Sequence, residues 1–112
     1  MDNKISIQKD LFTQDPSTVK FTFLDNGDHQ SGFIIFFNAN YYAYRNKCQH
    51  LDVELDWDNN EFFEEDEKLI VCSTHGALYE PSTGKCVLGP CAGASLESLR
   101  LKVIDERLII TI

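Results

Sequence analysis

Two short pairs of metal-capable side chains set the tightest constraint on this chain. Cys48-Gln49-His50 and Cys72-Ser73-Thr74-His75 each offer one thiolate and one imidazole, with 21 residues between the pairs. Close spacing within a pair lets its two side chains face one small volume. Both pairs fall in turn-rich stretches after or between strands, so the fold has to bring two loops together. Thiolate and imidazole suit iron and zinc. Cys48, His50, Cys72 and His75 are the candidate metal ligands.

The rest of the chain reads as antiparallel β-structure, with short apolar runs divided by Asn, Asp and Gly. Residues 19–24 alternate and end at Asp25-Asn26-Gly27-Asp28, a turn signal because Asn and Gly tolerate positive φ. Residues 32–37 read as a core strand. Asn38-Ala39-Asn40 turns it into residues 41–45, and this hairpin delivers the chain to Cys48. Residues 68–72 form the strand that delivers the second pair, and residues 77–79 leave it. Glu80-Pro81-Ser82-Thr83-Gly84 is a turn, followed by a short strand at residues 85–88. Residues 99–104 and 108–112 make a closing hairpin through Asp105-Glu106-Arg107. Residues 58–66 are the one stretch where a helical turn is expected. Many short strands of this kind point to an all-β sandwich or small barrel.

The chain has 112 residues, of which 43% are hydrophobic, enough for one compact domain with one core. The longest apolar run, Phe33-Ile34-Ile35-Phe36-Phe37, is far too short to span a bilayer. The first residues lack the apolar stretch of a signal peptide. A soluble, cytoplasmic protein with no membrane anchor is expected. The formal net charge of −8 argues against a nucleic-acid surface, which needs stripes of Lys and Arg. It favours a basic protein partner instead.

The ligand pairs have company. Cys48-Gln49-His50-Leu51, then Cys72-x-x-His75-Gly76-Ala77-x-Tyr79, then Pro81-x-Thr83-Gly84 and Gly89-Pro90 resemble the Rieske domain family, from about residue 33 to the end. The resemblance implies a single Rieske-type domain over residues 1–112. It would be an antiparallel β-sandwich carrying a small cluster-binding subdomain built from two ligand loops, at about residues 46–58 and 72–80. A cover loop at about residues 88–93 would flank the cluster. It further implies one [2Fe–2S] cluster per chain, with Cys48 and Cys72 on the inner iron and His50 and His75 on the outer iron through Nδ1. Leu51 would shield the cluster from water, and Gly76 would let the backbone approach closely. Imidazole donates less charge than thiolate, so such clusters reduce more easily than four-cysteine clusters.

Three positions depart from the high-potential respiratory pattern. Val53 and Thr74 stand where a bracing disulfide would lie. Ala77 stands where a serine would donate to a bridging sulfide, although Tyr79 occupies the position whose hydroxyl reaches a cysteine sulfur. A missing hydrogen bond to sulfur lowers the potential. The expected value lies in the lower half of the family range of about −150 to +300 mV.

The function implied is that of a one-electron carrier and not an enzyme. By resemblance it takes electrons from a flavin reductase and gives them to a terminal oxygenase. Two alternatives compete. The small subunit of an assimilatory nitrite reductase resembles a Rieske domain, but that family often lacks the ligands present here. A zinc-stabilised interaction module would use the same Cys2His2 set, although common zinc fingers order their ligands as Cys-Cys then His-His. The chain is too short for a second domain holding a catalytic iron.

Four features have ordinary readings beside the functional ones. Cys86 and Cys91 read as thiols in a reducing compartment, with a disulfide as the alternative. Nine of the 18 acidic residues fall in residues 52–67, with no lysine or arginine between Lys47 and Lys68. That segment is either a docking surface for a basic partner or a solvated insertion, and Trp57, Phe62 and Phe63 suggest that it packs back on the domain. Tyr41, Tyr42 and Tyr44 read as cross-strand aromatic packing and not as a ligand groove. His29 reads as solvated.

Overall fold

The structure, a computed structural model, describes residues 4–25, 27–47, 63, 69–72, 77–89 and 94–111. Nine strands, β1 (Lys4–Gln8), β2 (Ser17–Asp25), β3 (Asp28–Phe37), β4 (Asn40–Arg45), β5 (Ile70–Val71), β6 (Leu78–Tyr79), β7 (Cys86–Leu88), β8 (Arg100–Ile104) and β9 (Arg107–Thr111), form three antiparallel sheets. Their orders are β1-β9-β8, β2-β3-β4 and β5-β6-β7. A 3-10 turn, Lys9–Leu11, follows β1. The expected all-β class holds. Among the described residues no helix is long and apolar enough to cross a membrane.

The apolar run in β3 explains the layering. Successive residues of a strand face opposite sides of the sheet. Phe33, Ile34 and Ile35 are nonetheless all fully buried, so both faces of the middle sheet are covered. Phe33 and Ile35 pack with Tyr44, Ile70, Cys72, Ala77, Tyr79, Cys86 and Leu96. Ile34 packs on the other face with Ala43, Phe21, Phe23, Leu108 and Ile110. The sheet β2-β3-β4 therefore lies between the closing sheet on one side and β5-β6-β7 on the other. Each such buried side chain contributes about 1.5–3 kcal/mol.

Two-residue turns set the registers. Pairing of Asp25 with Asp28 puts Gly27, at φ +85, in the β2–β3 connection. Phe37 pairs with Asn40, so the β3–β4 turn is Asn38-Ala39, and Asn40 already belongs to β4. Both turn residues have positive φ, 50 and 66, the geometry that matches the twist of a tight hairpin. The Asp15 carboxylate holds this turn, accepting from Asn38 N–H at 3.0 Å and Ala39 N–H at 2.9 Å. Ile104 pairs with Arg107, so Asp105-Glu106 closes the last hairpin.

Three readings need adjustment. The strand expected at residues 68–72 is only Ile70–Val71. The N-terminal residues, ahead of the strands expected from the sequence, supply β1, whose Ile5 and Ile7 pair with Ile110 and Leu108 of β9. The helical turn expected at residues 58–66 lies outside the described residues except for Phe63. That residue makes an antiparallel bridge to Ile70 and stacks on Phe37 at 6.0 Å, so it packs on the body as its apolar character suggested.

Residues 94–99 act as a strap between layers. Cys86 N–H donates to Ala94 O at 2.8 Å and Leu96 N–H to Gly84 O at 2.7 Å, tying the strap to β7 and the turn before it. Arg45 N–H donates to Glu97 O and Leu99 N–H to Ala43 O, both at 2.9 Å, tying it to β4. The chain leaving the cover-loop region is thus sewn to the strand that leads into the first ligand pair.

Candidate metal centre

The second ligand loop opens from the β5–β6 hairpin. Val71 pairs with Leu78, and Cys72 is the next residue after β5. Its N–H donates to Ala77 O at 2.9 Å, so residues 72 and 77 close the neck of a loop containing His75 and Gly76. Cys72, Ala77 and Tyr79 are fully buried, in one apolar cluster with Phe33 and Ile70. Burial in such surroundings disfavours a bare thiolate. A thiolate placed there calls for a cation beside it.

The cover-loop region starts against this neck. A register shift between Leu78 and Tyr79 bends the β6–β7 pairing beside the site, as bulges near functional sites do. Gly89 follows β7 at φ +108, and a Cβ there would lie 2.8 Å from Ala77 Cα and 3.2 Å from its Cβ. No other residue fits that approach. Cys86 carries a thiol whose sulfur donates to Leu88 O at 3.4 Å. Its expected relation to Cys91 lies outside the described residues.

The root of the first ligand loop is pinned from three sides. Arg45 N–H is bound by Glu97 O, as above, while its guanidinium pairs with the Glu97 carboxylate and lies 5.1 Å from the centre of the Phe23 ring. Asn46 N–H donates to Ser31 O at 2.9 Å, and its carboxamide Nδ2 donates to Ser31 Oγ at 3.2 Å. Lys47 N–H turns back to Arg45 O at 3.0 Å. The next residue is Cys48.

Tyr44 joins the two halves of this frame. From β4 its hydroxyl donates to Pro81 O, in the β6–β7 turn, at 2.7 Å. Burial, with a smaller contribution from Tyr42, pushes its pKa up to about 12. The aromatic reading of this strand holds: Tyr44 packs on its cross-strand partner Phe33 at 5.9 Å, and Tyr41 on Phe36 at 4.7 Å. Tyr41, Tyr42 and Tyr44 also border an open groove of about 630 Å³, alongside Ser82, Thr83 and Val103. His29 is exposed.

Of the four sequence-identified ligands the structure places Cys72. Cys48, His50 and His75 lie outside the described residues, as do Leu51, Gly76, Cys91 and the acidic segment 52–67 apart from Phe63. Among the described residues no three His, Cys, Asp or Glu side chains come together to hold a metal ion, so the described body offers no rival to the two loops. The donor chemistry fits a binuclear iron–sulfur group. Two ferric ions, two sulfides and two thiolates sum to zero charge beside neutral imidazoles, which suits the apolar packing around Cys72. Sequence reasoning missed Asn46, Ser31, the Tyr44–Pro81 bond and the strap. Only the polar Asn46, at the end of an apolar strand, left any trace, and it reads simply as the strand's end.

The model of the family described as Rieske [2Fe-2S] domain matches residues 6–105. A comparison with curated proteins finds no match. Among solved structures, the ferredoxin of carbazole 1,9a-dioxygenase from Nocardioides aromaticivorans IC177 aligns with a TM-score of 0.67 at 19% identity, covering 93% of this chain and 91% of that one. A complex of reduced oxygenase and oxidized ferredoxin in carbazole 1,9a-dioxygenase aligns with a TM-score of 0.71 at 17% identity, over 96% of this chain and 91% of the matched chain. The terminal oxygenase of carbazole 1,9a-dioxygenase from Novosphingobium sp. KA1 gives a TM-score of 0.75 at 16% identity, over 97% of this chain. This chain spans only 29% of that oxygenase chain.

Proposed function

The chain belongs to the Rieske [2Fe–2S] domain family, and from that premise we propose that it is a one-electron carrier between proteins, accepting from a reductase and donating to a terminal oxygenase. Its cofactor is a Rieske-type [2Fe–2S] cluster, which supplies one-electron chemistry when bound. In this reading Cys48 and Cys72 hold one iron and His50 and His75 the other, one cluster per chain.

The observation that carries the reading is Cys72. It is fully buried at the closed neck of a short loop, with Gly89 pressed on the residue that closes it. This chain's residues exclude water from the thiolate side through Phe33, Ile70, Ala77 and Tyr79. The histidine side is left as the route for the electron. The likeness to a ferredoxin chain, over 93% of this chain, supports a carrier. The acidic segment 52–67 would draw a basic partner toward the ligand loops. The zinc module loses ground to the family match, and the nitrite reductase subunit to the presence of all four candidate ligands, Cys48, His50, Cys72 and His75.

The test is metal content with single ligand replacements. The protein made anaerobically with ample iron is expected to contain iron and acid-labile sulfide in equal amounts. Cys48→Ser, Cys72→Ser, His50→Ala and His75→Ala should each abolish the native spectrum. A colourless zinc protein, or a cluster that survives loss of either histidine with its spectrum unchanged, contradicts the assignment.

A further inference from the structure

Asn46 is the one buried carboxamide or charged side chain among the described residues, 4% exposed at the point where β4 gives way to the first ligand loop. Burying a carboxamide is unfavourable unless its polar atoms are bonded, and here both the backbone and the side chain of Asn46 bond to Ser31. Asn46 N–H donates to Ser31 O and Nδ2 donates to Ser31 Oγ. Gly32–Arg45 is the last strand pair of the β3–β4 ladder, so these two bonds extend the ladder by one residue past its end.

The consequence falls on Cys48. Lys47 N–H is already turned back on Arg45 O, which fixes the chain through Asn46, two residues before Cys48 in sequence. A chain of two residues reaches at most about 7 Å. A shift of Asn46 therefore moves the point from which the first ligand loop starts. Ser31 belongs to β3, whose Phe33 and Ile35 also pack on Cys72. One rigid strand thus references both cysteine arms.

We propose that Asn46 is a positioning residue for the cluster: its carboxamide, locked to Ser31, sets where the first ligand loop delivers the Cys48 thiolate. This inference rests on the ligand assignment above, and its test keeps the two apart. Holoprotein of Asn46→Ala, Ser31→Ala, the double variant and Cys48→Ser is compared with the parent chain. The readouts are the bleaching rate of visible absorption under an iron chelator, well below the unfolding midpoint, and the g-values of the reduced cluster by EPR.

Asn46→Ala is expected to bleach about tenfold faster and to shift the g-values. Ser31→Ala, which like Asn46→Ala keeps the backbone bond but removes the acceptor of Nδ2, moves both in the same direction. The double variant loses less than the sum of the two single effects, because the bond between the two side chains can be lost only once. Parent-like bleaching and superimposable g-values in Asn46→Ala overturn the proposal, as do effects that simply add in the double variant. Ser31→Ala decides the matter if Asn46→Ala does not fold, unchanged g-values and bleaching again overturning it. If Cys48→Ser keeps the parent spectrum, the ligand assignment falls and this inference falls with it.

Discussion

Replacing Gly89 by alanine tests whether the cover-loop region is packed on the second ligand loop. At φ +108 an L residue pays a backbone cost of order 1–3 kcal/mol. The added Cβ also meets Ala77 Cα at 2.8 Å, where a comfortable carbon contact is about 3.5–4.0 Å. A backbone atom cannot rotate away, so the two segments must part by most of an ångström. Ala77 O receives the Cys72 N–H at 2.9 Å, and displacing Ala77 weakens that bond at a further cost of about 1 kcal/mol. The expected total is roughly 2–4 kcal/mol. Gly27→Ala is the control. Its φ is +85 and nothing lies within 4 Å of the new Cβ, so only a backbone cost of about 1–2 kcal/mol applies. Denaturant unfolding gives the stabilities, and chelator-driven bleaching of the visible bands reports on the loop. Gly89→Ala should lose more stability than Gly27→Ala and bleach about tenfold faster, while Gly27→Ala bleaches as the parent does. Equal losses in the two variants, or parent-like bleaching in Gly89→Ala, refute the packing argument.

Three further outcomes follow from the same frame. Ala77→Ser places a hydroxyl at the neck of the second loop, and a sulfide hydrogen bond stronger by about 1 kcal/mol in the reduced cluster raises the potential by about 40 mV; voltammetry showing no rise removes that explanation for the expected low potential. The Tyr44 pKa is raised from 10.0 to about 12, so the folded state holds this proton more tightly than the unfolded chain: the stability it contributes is fully present below pH 10 and is lost as pH rises toward 12, by ~2 kcal/mol at most. Tyr44→Phe should remove that alkaline slope and cost about 1 kcal/mol at neutral pH through the lost bond to Pro81 O, both read from unfolding curves across pH. Electron transfer to a basic partner should slow with added salt if the acidic segment guides docking, and a salt-independent rate assigns that segment to solvation alone.

Side-chain patterns made the sheets readable, and backbone contacts hid the rest. The Asn-Gly turn signal after β2 and the alternation in β2 and β8 announce hairpins because the two faces of each strand differ in burial. The unbroken run Phe33-Ile34-Ile35-Phe36-Phe37 was legible as a core strand, and its lack of alternation reflects cover on both faces. Lys4-Ile5-Ser6-Ile7-Gln8 does alternate, yet five residues with half-buried isoleucines give a weak signal for β1. The strap 94–99 could not be read at all. It is held by backbone bonds to Ala43, Arg45, Gly84 and Cys86, which leave no mark on side-chain type. At the site, cysteine–histidine spacing pointed to Cys72, whose burial the structure shows. The support from Asn46, Ser31 and Tyr44 depends on contacts between segments 15 or more residues apart.

The most direct measurement of the central claim is the EPR spectrum of the chemically reduced protein, taken with its iron and sulfide content. The account predicts iron and acid-labile sulfide in equal amounts, with an average g-value below that of four-cysteine [2Fe–2S] clusters because two imidazoles replace two thiolates. A zinc-containing protein without sulfide, or a spectrum of the four-cysteine type, would contradict it.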